Sequence, residues 1–234
     1  MDIQKINKEL EEKTPQEILR WAINEFSPEV CVSTSFGSTS AVLLHMATQI
    51  KPDIRILFLE TGFHFPETLE FKEHLKKLIN LNNVEELKPL MGREEFTQKH
   101  GNLYETDPDK CCYLNKVEPL KKALNGVRGW ITGIRRSQSD TREQVNVVES
   151  YESGIIKINP LCFWNGKQMW EYLKEHKLPY HPLFDEGFSS IGCAPCTRSV
   201  VPGEHERSGR WSGSTKKECG IHTFLAKKDP KPKE

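Results

Sequence analysis

The chain has 234 residues, 36% hydrophobic and 28% charged, and its 33 basic side chains balance 33 acidic ones to a formal net charge of zero. That length suits one globular domain with a tail, and the neutral balance argues against a general nucleic-acid binder, which carries a basic excess. No stretch approaches the roughly 18 apolar residues of a membrane span, and the charged opening MDIQKINKELEEKTPQEIL is not a signal peptide.

The expected compartment is therefore the cytoplasm, where thiols stay reduced and seven cysteines serve as ligands or reagents rather than disulfides. The first predicted element is the buried strand EVCVSTS (residues 29–35), followed by a helix over 38–50. Between them lies STSFGSTS, a Ser/Gly turn whose amides and hydroxyls suit an anion at a helix start. It lacks the lysine of an NTPase loop, and half of its reading is simply a helix cap. Its Ser33, Ser35, Phe36, Gly37 and Ser38 are candidate substrate contacts. IRILFLE (54–60) is a second strand, 66–79 a helix, and NVEELKPL (83–90) a third strand. A helical stretch over 112–124 leads to a fourth strand, GWITGI (129–134). Strand–helix alternation with near-continuous apolar strands predicts an α/β fold, a parallel sheet covered on both faces.

Just after the fourth strand come Arg135, Arg136 and Arg142, guanidiniums placed for a phosphate or sulfate, or else a solvated basic turn. NGKQMWEYLKEHKL (165–178) has Met169, Tyr172 and Leu173 at helical spacing. Beyond Pro179 the chain turns Gly-, Pro- and Ser-rich and reads as loops, with AKKDPKPKE a disordered end. The division expected is 1–198 for the α/β domain and 199–234 for a flexible tail.

Two cysteine pairs stand apart from the strand pattern: Cys111 with Cys112, and Cys193 with Cys196. Four thiolates are enough for one metal centre. Zinc sites usually use a two-residue spacer in both halves. Adjacent cysteines project about 100° apart on a helix, which suits two irons of a larger cluster better. Zinc and a redox CxxC remain open on spacing alone. Lys116, one turn after Cys112, is placed to balance an anionic centre. Cys31 and Cys162 sit in apolar contexts and are most simply core residues.

Taken together, SFGSTSAVLLHM, FLETGFHFPET, CCYLNKVEPL, WITGIRRSQSDTR, LPYHPLFDEGFSSIGCAPCTR, SGRW and ECGIH resemble the assimilatory adenylyl-sulfate and phosphoadenylyl-sulfate reductases, over residues from about 30 to 224. The resemblance implies a Rossmann-like sheet of the adenine-nucleotide α-hydrolase type and one 4Fe–4S cluster on Cys111, Cys112, Cys193 and Cys196. It makes Cys219 the nucleophile that attacks the sulfonucleotide and forms an S-sulfocysteine, with thioredoxin or glutaredoxin then releasing sulfite. Arg207, Arg210 and His222 match family positions that face the sulfate, and they polarise it and favour the thiolate. The family pairs the cluster with adenosine 5′-phosphosulfate, the substrate expected here, ahead of its 3′-phosphorylated form. A homo-oligomer is in keeping with relatives that are often dimers or tetramers.

Two positions depart from the family pattern: Asn115, where related chains often carry a basic residue, and Pro108, where some carry a histidine. A tRNA-thiolating ATP pyrophosphatase shares the fold but usually wants a carboxylate in the first loop. A zinc-stabilised nucleotide-binding module is the remaining alternative.

Overall fold

A computed structural model describes residues 1–201 and 203–224; the terminal AKKDPKPKE, read from sequence as disordered, lies outside the described residues. Two helices open the chain, α1 (Ile3–Leu10) and α2 (Pro15–Phe26). Asp2 caps the first, and a reciprocal Thr14–Glu17 capping box with Pro15 in the first turn starts the second. Then follow β1 (Val30–Thr34), α3 (Ser40–Ile50), β2 (Arg55–Leu59), α4 (Pro66–Leu78) and β3 (Val84–Leu87). The helices α5 (Arg93–His100), α6 (Leu103–Thr106) and α7 (Pro108–Cys112) run into a π turn (Tyr113–Val117) and α8 (Glu118–Ala123). The last elements are β4 (Gly129–Ile131), β5 (Val148–Ser150), β6 (Ile156–Ile158) and α9 (Gly166–Glu175).

The six strands form one sheet in the order β3-β2-β1-β4-β6-β5, parallel except for β5. From β1 the chain builds outward to β3, then crosses back to lay β4 on the other side of β1. Val32 pairs with Ile56 on one side and Ile131 on the other. That reversal makes the C-terminal ends of β1 and β4 the topological switch point, where open α/β sheets bind ligands. The large core joins α2, α3, α4 and α9 to one face of the sheet; a second cluster around Trp130, Leu120 and Leu57 lies on the other. Gly129 is required where α2 crosses β4, because a Cβ there would stand 2.7 Å from the Phe26 side chain. No helix among the described residues is long and apolar enough to cross a membrane.

Three departures from the sequence reading have local causes. The expected fourth strand is shorter, ending at Ile131. β5 and β6 are three residues each, and the centre of β6 is Lys157, whose buried ammonium pairs with Glu149 of β5 at 2.8 Å. No periodicity could mark so short a strand with a charge inside it. The helix expected over 112–124 is interrupted by the π turn, because Pro119 has no N–H to offer the carbonyl one turn back.

The segment leading to the second cysteine pair is pinned by His181, which is fully buried. Its Nδ1 accepts the Leu183 N–H at 3.2 Å, so Nε2 donates to Thr68 Oγ1 at 2.9 Å. Burial pulls its pKa down to about 4, with Glu67 opposing. Unfolding frees a histidine that protonates near 6.5, so its contribution is full above that value. It is lost as pH falls towards 4, a decline on the order of 2–3 kcal/mol. Denaturant unfolding of His181→Gln against the parent at pH 7 and pH 4.5 checks this: the stability gap between them should narrow at the lower pH.

Candidate active site

A cleft of ≈ 280 Å³ opens at the switch point. Its floor is the turn after β1, where Ser35, Gly37 and Ser38 line the cavity and no side chain caps α3. Ser38 Oγ donates to the Ser189 carbonyl at 3.0 Å, tying this turn to the segment that carries Cys193. Ser33 lines the cleft too, but its hydroxyl accepts the Trp130 indole N–H at 2.8 Å. Phe36 lies elsewhere. At φ +47° it takes a left-handed conformation that turns its ring into the core, edge-on to Phe58 at 5.2 Å. Its side chain is wholly buried and its N–H goes to Thr34 Oγ1. The structure therefore does not bring Phe36 to the cleft.

The arginines divide. Arg135 and Arg142, after β4, line the cleft and are almost wholly buried. Arg136 leaves it: its Nε donates to the Val145 carbonyl at 2.7 Å and its guanidinium covers the Phe163 ring. Adjacent residues of extended backbone point to opposite sides, so a run of two arginines could not serve one site. From the C-terminal segment Arg207 and Arg210 reach in beside Lys116, Cys219 and His222. Arg210 lies across Gly192, where a Cβ would meet its guanidinium at 2.2 Å, and packs on Trp211 at 4.6 Å. Its Nε is buried without a hydrogen-bond partner.

The described part of the C-terminal segment packs against the body. Ile221 and Phe224 join the apolar cluster around Trp130, and the His222 ring stacks on the Trp130 indole at 6.0 Å, 10° from parallel. Burial, helped by Lys157, Arg142 and Arg207, holds His222 well below its ordinary pKa. It is therefore a neutral imidazole at pH 7, able to accept or donate a hydrogen bond but not to supply the positive charge expected of it from sequence. That charge comes from the arginines and Lys116. Burial and the neighbouring guanidiniums pull Arg207 only to about 10, so it stays charged.

Sequence reasoning passed over two tail carboxylates. Glu206 accepts from Arg135 at 3.0 Å, and Glu218 takes both Nε and NH2 of Arg142 at 2.7 and 2.8 Å. His64, in the cleft wall below β2, was also missed: its Nε2 contacts the Leu59 carbonyl at 2.7 Å and its Nδ1 is buried without a partner.

Cys111, Cys112, Cys193 and Cys196 line one small enclosed cavity beside the cleft, and Lys116 borders both. Phe63 and Tyr104 wall it with apolar surface, and Phe96 and Leu103 pack in the same cluster behind them. All are free thiols. Burial pushes Cys111 up to about 11 and Cys112 to about 12. Cys193 is held low despite its burial by Lys116 and by hydrogen bonding to Thr61, whose Oγ1 is 3.4 Å away. Burial alone would lower Lys116, but Cys193, Cys112 and Cys219 outweigh it and raise its pKa. Asn115 donates to the Cys111 carbonyl at 2.9 Å and faces its sulfur at 3.7 Å. No three His, Cys, Asp or Glu side chains among the described residues converge to hold a single metal ion.

Residues 29–199 match the family model described as "Phosphoadenosine phosphosulfate reductase domain". A phosphoadenosine 5′-phosphosulfate reductase of Gloeobacter violaceus is 42% identical over 224 residues, 94% of this chain and 93% of that one. An adenosine 5′-phosphosulfate reductase of Streptomyces coelicolor is 41% identical over 221 residues, 94% and 92%. Among solved structures, the phosphoadenylyl-sulfate reductase of Candida auris superposes with a TM-score of 0.73 at 37% identity, covering 85% of this chain and 96% of that one.

Proposed function

The chain belongs to the phosphoadenosine phosphosulfate reductase family, oxidoreductases acting on a sulfur group, and from that premise we propose that it reduces adenosine 5′-phosphosulfate to sulfite and AMP through an S-sulfocysteine on Cys219. The observation that carries this reading is the convergence on one cleft of the β1 turn, Lys116, Arg210 and Cys219. The turn and the N-terminus of α3 receive the nucleotide, as helix starts do for anions. Lys116 and Arg210 face the sulfonate, and Arg210 keeps a buried donor free for it.

The thiolate of Cys219 attacks the sulfonate sulfur, and the S–O bond to the phosphate breaks. AMP leaves with that electron pair, and the sulfur stays on the enzyme as Cys–S–SO₃⁻. Cations beside the cleft stabilise the charge as it moves from sulfur to phosphate oxygen. A dithiol protein of the thioredoxin or glutaredoxin class then attacks Cys219 Sγ and expels sulfite. Its second thiol resolves the mixed disulfide, so the reductant supplies both electrons and ends as a disulfide. His222, neutral and lining the cleft, would hydrogen-bond the sulfonate rather than take up a proton.

Cys111, Cys112, Cys193 and Cys196 would hold one 4Fe–4S cluster. The donor set fits: four free thiols share one largely apolar cavity, where thiolates are costly without bound metal. When bound, such a cluster is an anionic centre that fixes Lys116 in the cleft wall without exchanging electrons with substrate.

The relatives carry both substrate names at nearly equal identity, and the four cysteines are what supports adenosine 5′-phosphosulfate as the preferred substrate. Anaerobic sulfite release with thioredoxin tests this. The account expects kcat/KM at least about tenfold higher for adenosine 5′-phosphosulfate than for its 3′-phosphorylated form. The reverse preference would break the link from cluster to substrate while leaving the chemistry on Cys219.

A further inference from the structure

We propose that Glu218 is the positioning residue for the nucleophile: clasped by Arg142 and Arg207, its carboxylate docks the C-terminal segment so that Cys219 is held in the cleft. This deepens the reading of Cys219 given above and rests on it. Arg142 grips both carboxylate oxygens, Nε to Oε1 at 2.7 Å and NH2 to Oε2 at 2.8 Å. Arg207 adds NH2 to Oε2 at 3.2 Å, and Thr141 donates to Oε1 at 3.1 Å. The side chains of Arg142 and Glu218 are only 8% and 15% exposed. A desolvated, bidentate pair fixes geometry in a way that an exposed ion pair does not.

The position of this carboxylate calls for a reason. It stands next in sequence to the attacking thiol, beside a cleft that must accept an anionic substrate. There it repels the substrate and opposes the thiolate, a cost that two arginines offset. What it contributes is placement, because Cα atoms of neighbouring residues lie about 3.8 Å apart and a fixed Glu218 leaves Cys219 little room to stray. The rest of the segment completes the dock. Lys216 pairs with Asp109 of α7, Gly220 turns at φ +87° against Val117, and Ile221 and Phe224 pack near Trp130.

This assignment makes Arg142 a clamp rather than a substrate ligand, and it leaves the sulfonate to Arg210 and Lys116. The alternative use of the same geometry, a carboxylate that stands in for the substrate anion and blocks it, predicts opposite results.

The test uses the full-length, cluster-loaded protein as Glu218→Ala and Glu218→Asp. Three quantities are read: the single-turnover rate of Cys219 sulfonation at saturating adenosine 5′-phosphosulfate, the Kd for AMP, and amide hydrogen exchange over residues 214–224. Misplacing a reacting group by an ångström costs about a hundredfold. Glu218→Ala should therefore slow sulfonation by about 30- to 100-fold, with the AMP Kd within about threefold of the parent. Exchange over the segment should rise about tenfold, and Glu218→Asp should recover part of both effects. Unchanged exchange would overturn the proposal whatever the rate does. So would tighter AMP binding in Glu218→Ala, which marks a stand-in for the substrate. Exchange is read without substrate, so a parent enzyme that forms no sulfocysteine would sink the reductase mechanism while the dock was still judged by its own readout.

Discussion

Replacement of Cys219 by serine should abolish sulfite release, by at least about a thousandfold, while nucleotide binding and iron content stay as in the parent. A serine hydroxyl at neutral pH is a far weaker nucleophile than a thiolate. Moreover, a sulfate ester formed on it could not be released by thiol attack, because no S–S bond would exist to exchange. Binding should survive because the β1 turn, Lys116 and Arg210 line the cleft without relying on the Cys219 side chain. The side chain itself is half-buried at the surface of the body, so an isosteric change costs little stability. The variant is read by sulfite release with thioredoxin alongside equilibrium binding of AMP. Sulfite release at a tenth of the parent rate or more would remove Cys219 from the mechanism. Loss of AMP binding would mean that the residue shapes the pocket instead.

The second large effect concerns the cysteine cage. Cys193→Ala should lose most of the bound iron and its visible absorbance, and its Tm should fall by about 10 °C or more. Cys193 sits at the junction of the two sites: it lines both cavities, contacts Thr61, and is the thiol that interacts most strongly with Lys116. Its loss should therefore reach the cleft as well as the metal. Cys162→Ala is the matched control. That thiol is also buried, but it belongs to the main core cluster with α9 and not to the cluster around the cage. It should cost about 1 kcal/mol in packing and leave iron untouched. Iron content measured on both proteins distinguishes a ligand from a core residue. A Cys193→Ala protein that kept its full complement of iron would contradict the assignment.

The sequence announced the sheet well where strands were long and wholly apolar. VCVST and RILFL read as buried parallel strands and are the adjacent interior strands β1 and β2. Recognition of the family motifs carried the site further than spacing alone could: two cysteine pairs some eighty residues apart become one cage only through the fold. What stayed hidden depends on partners distant in sequence. Lys157 reads as a break in a strand until Glu149 is beside it. Arg135 and Arg136 are neighbours in sequence, and only backbone direction decides that one enters the cleft and the other stacks on Phe163. His222 reads as a possible cation until burial against Trp130 is seen to keep it neutral. Glu218 had a usable signal, a carboxylate directly before a nucleophilic thiol, which demands neutralisation. Its partner Arg142 lies 76 residues earlier.

The central claim is that Cys219 carries the sulfur between two half-reactions, and one measurement bears on it most directly. The reduced, cluster-loaded protein is incubated anaerobically with adenosine 5′-phosphosulfate in the absence of any thiol, then digested and weighed by mass spectrometry. The account predicts one sulfonate on the peptide containing Cys219, AMP released in equal amount, and loss of the adduct as sulfite when thioredoxin is added. AMP and sulfite formed without any adduct on Cys219, or an adduct on another cysteine, would contradict it.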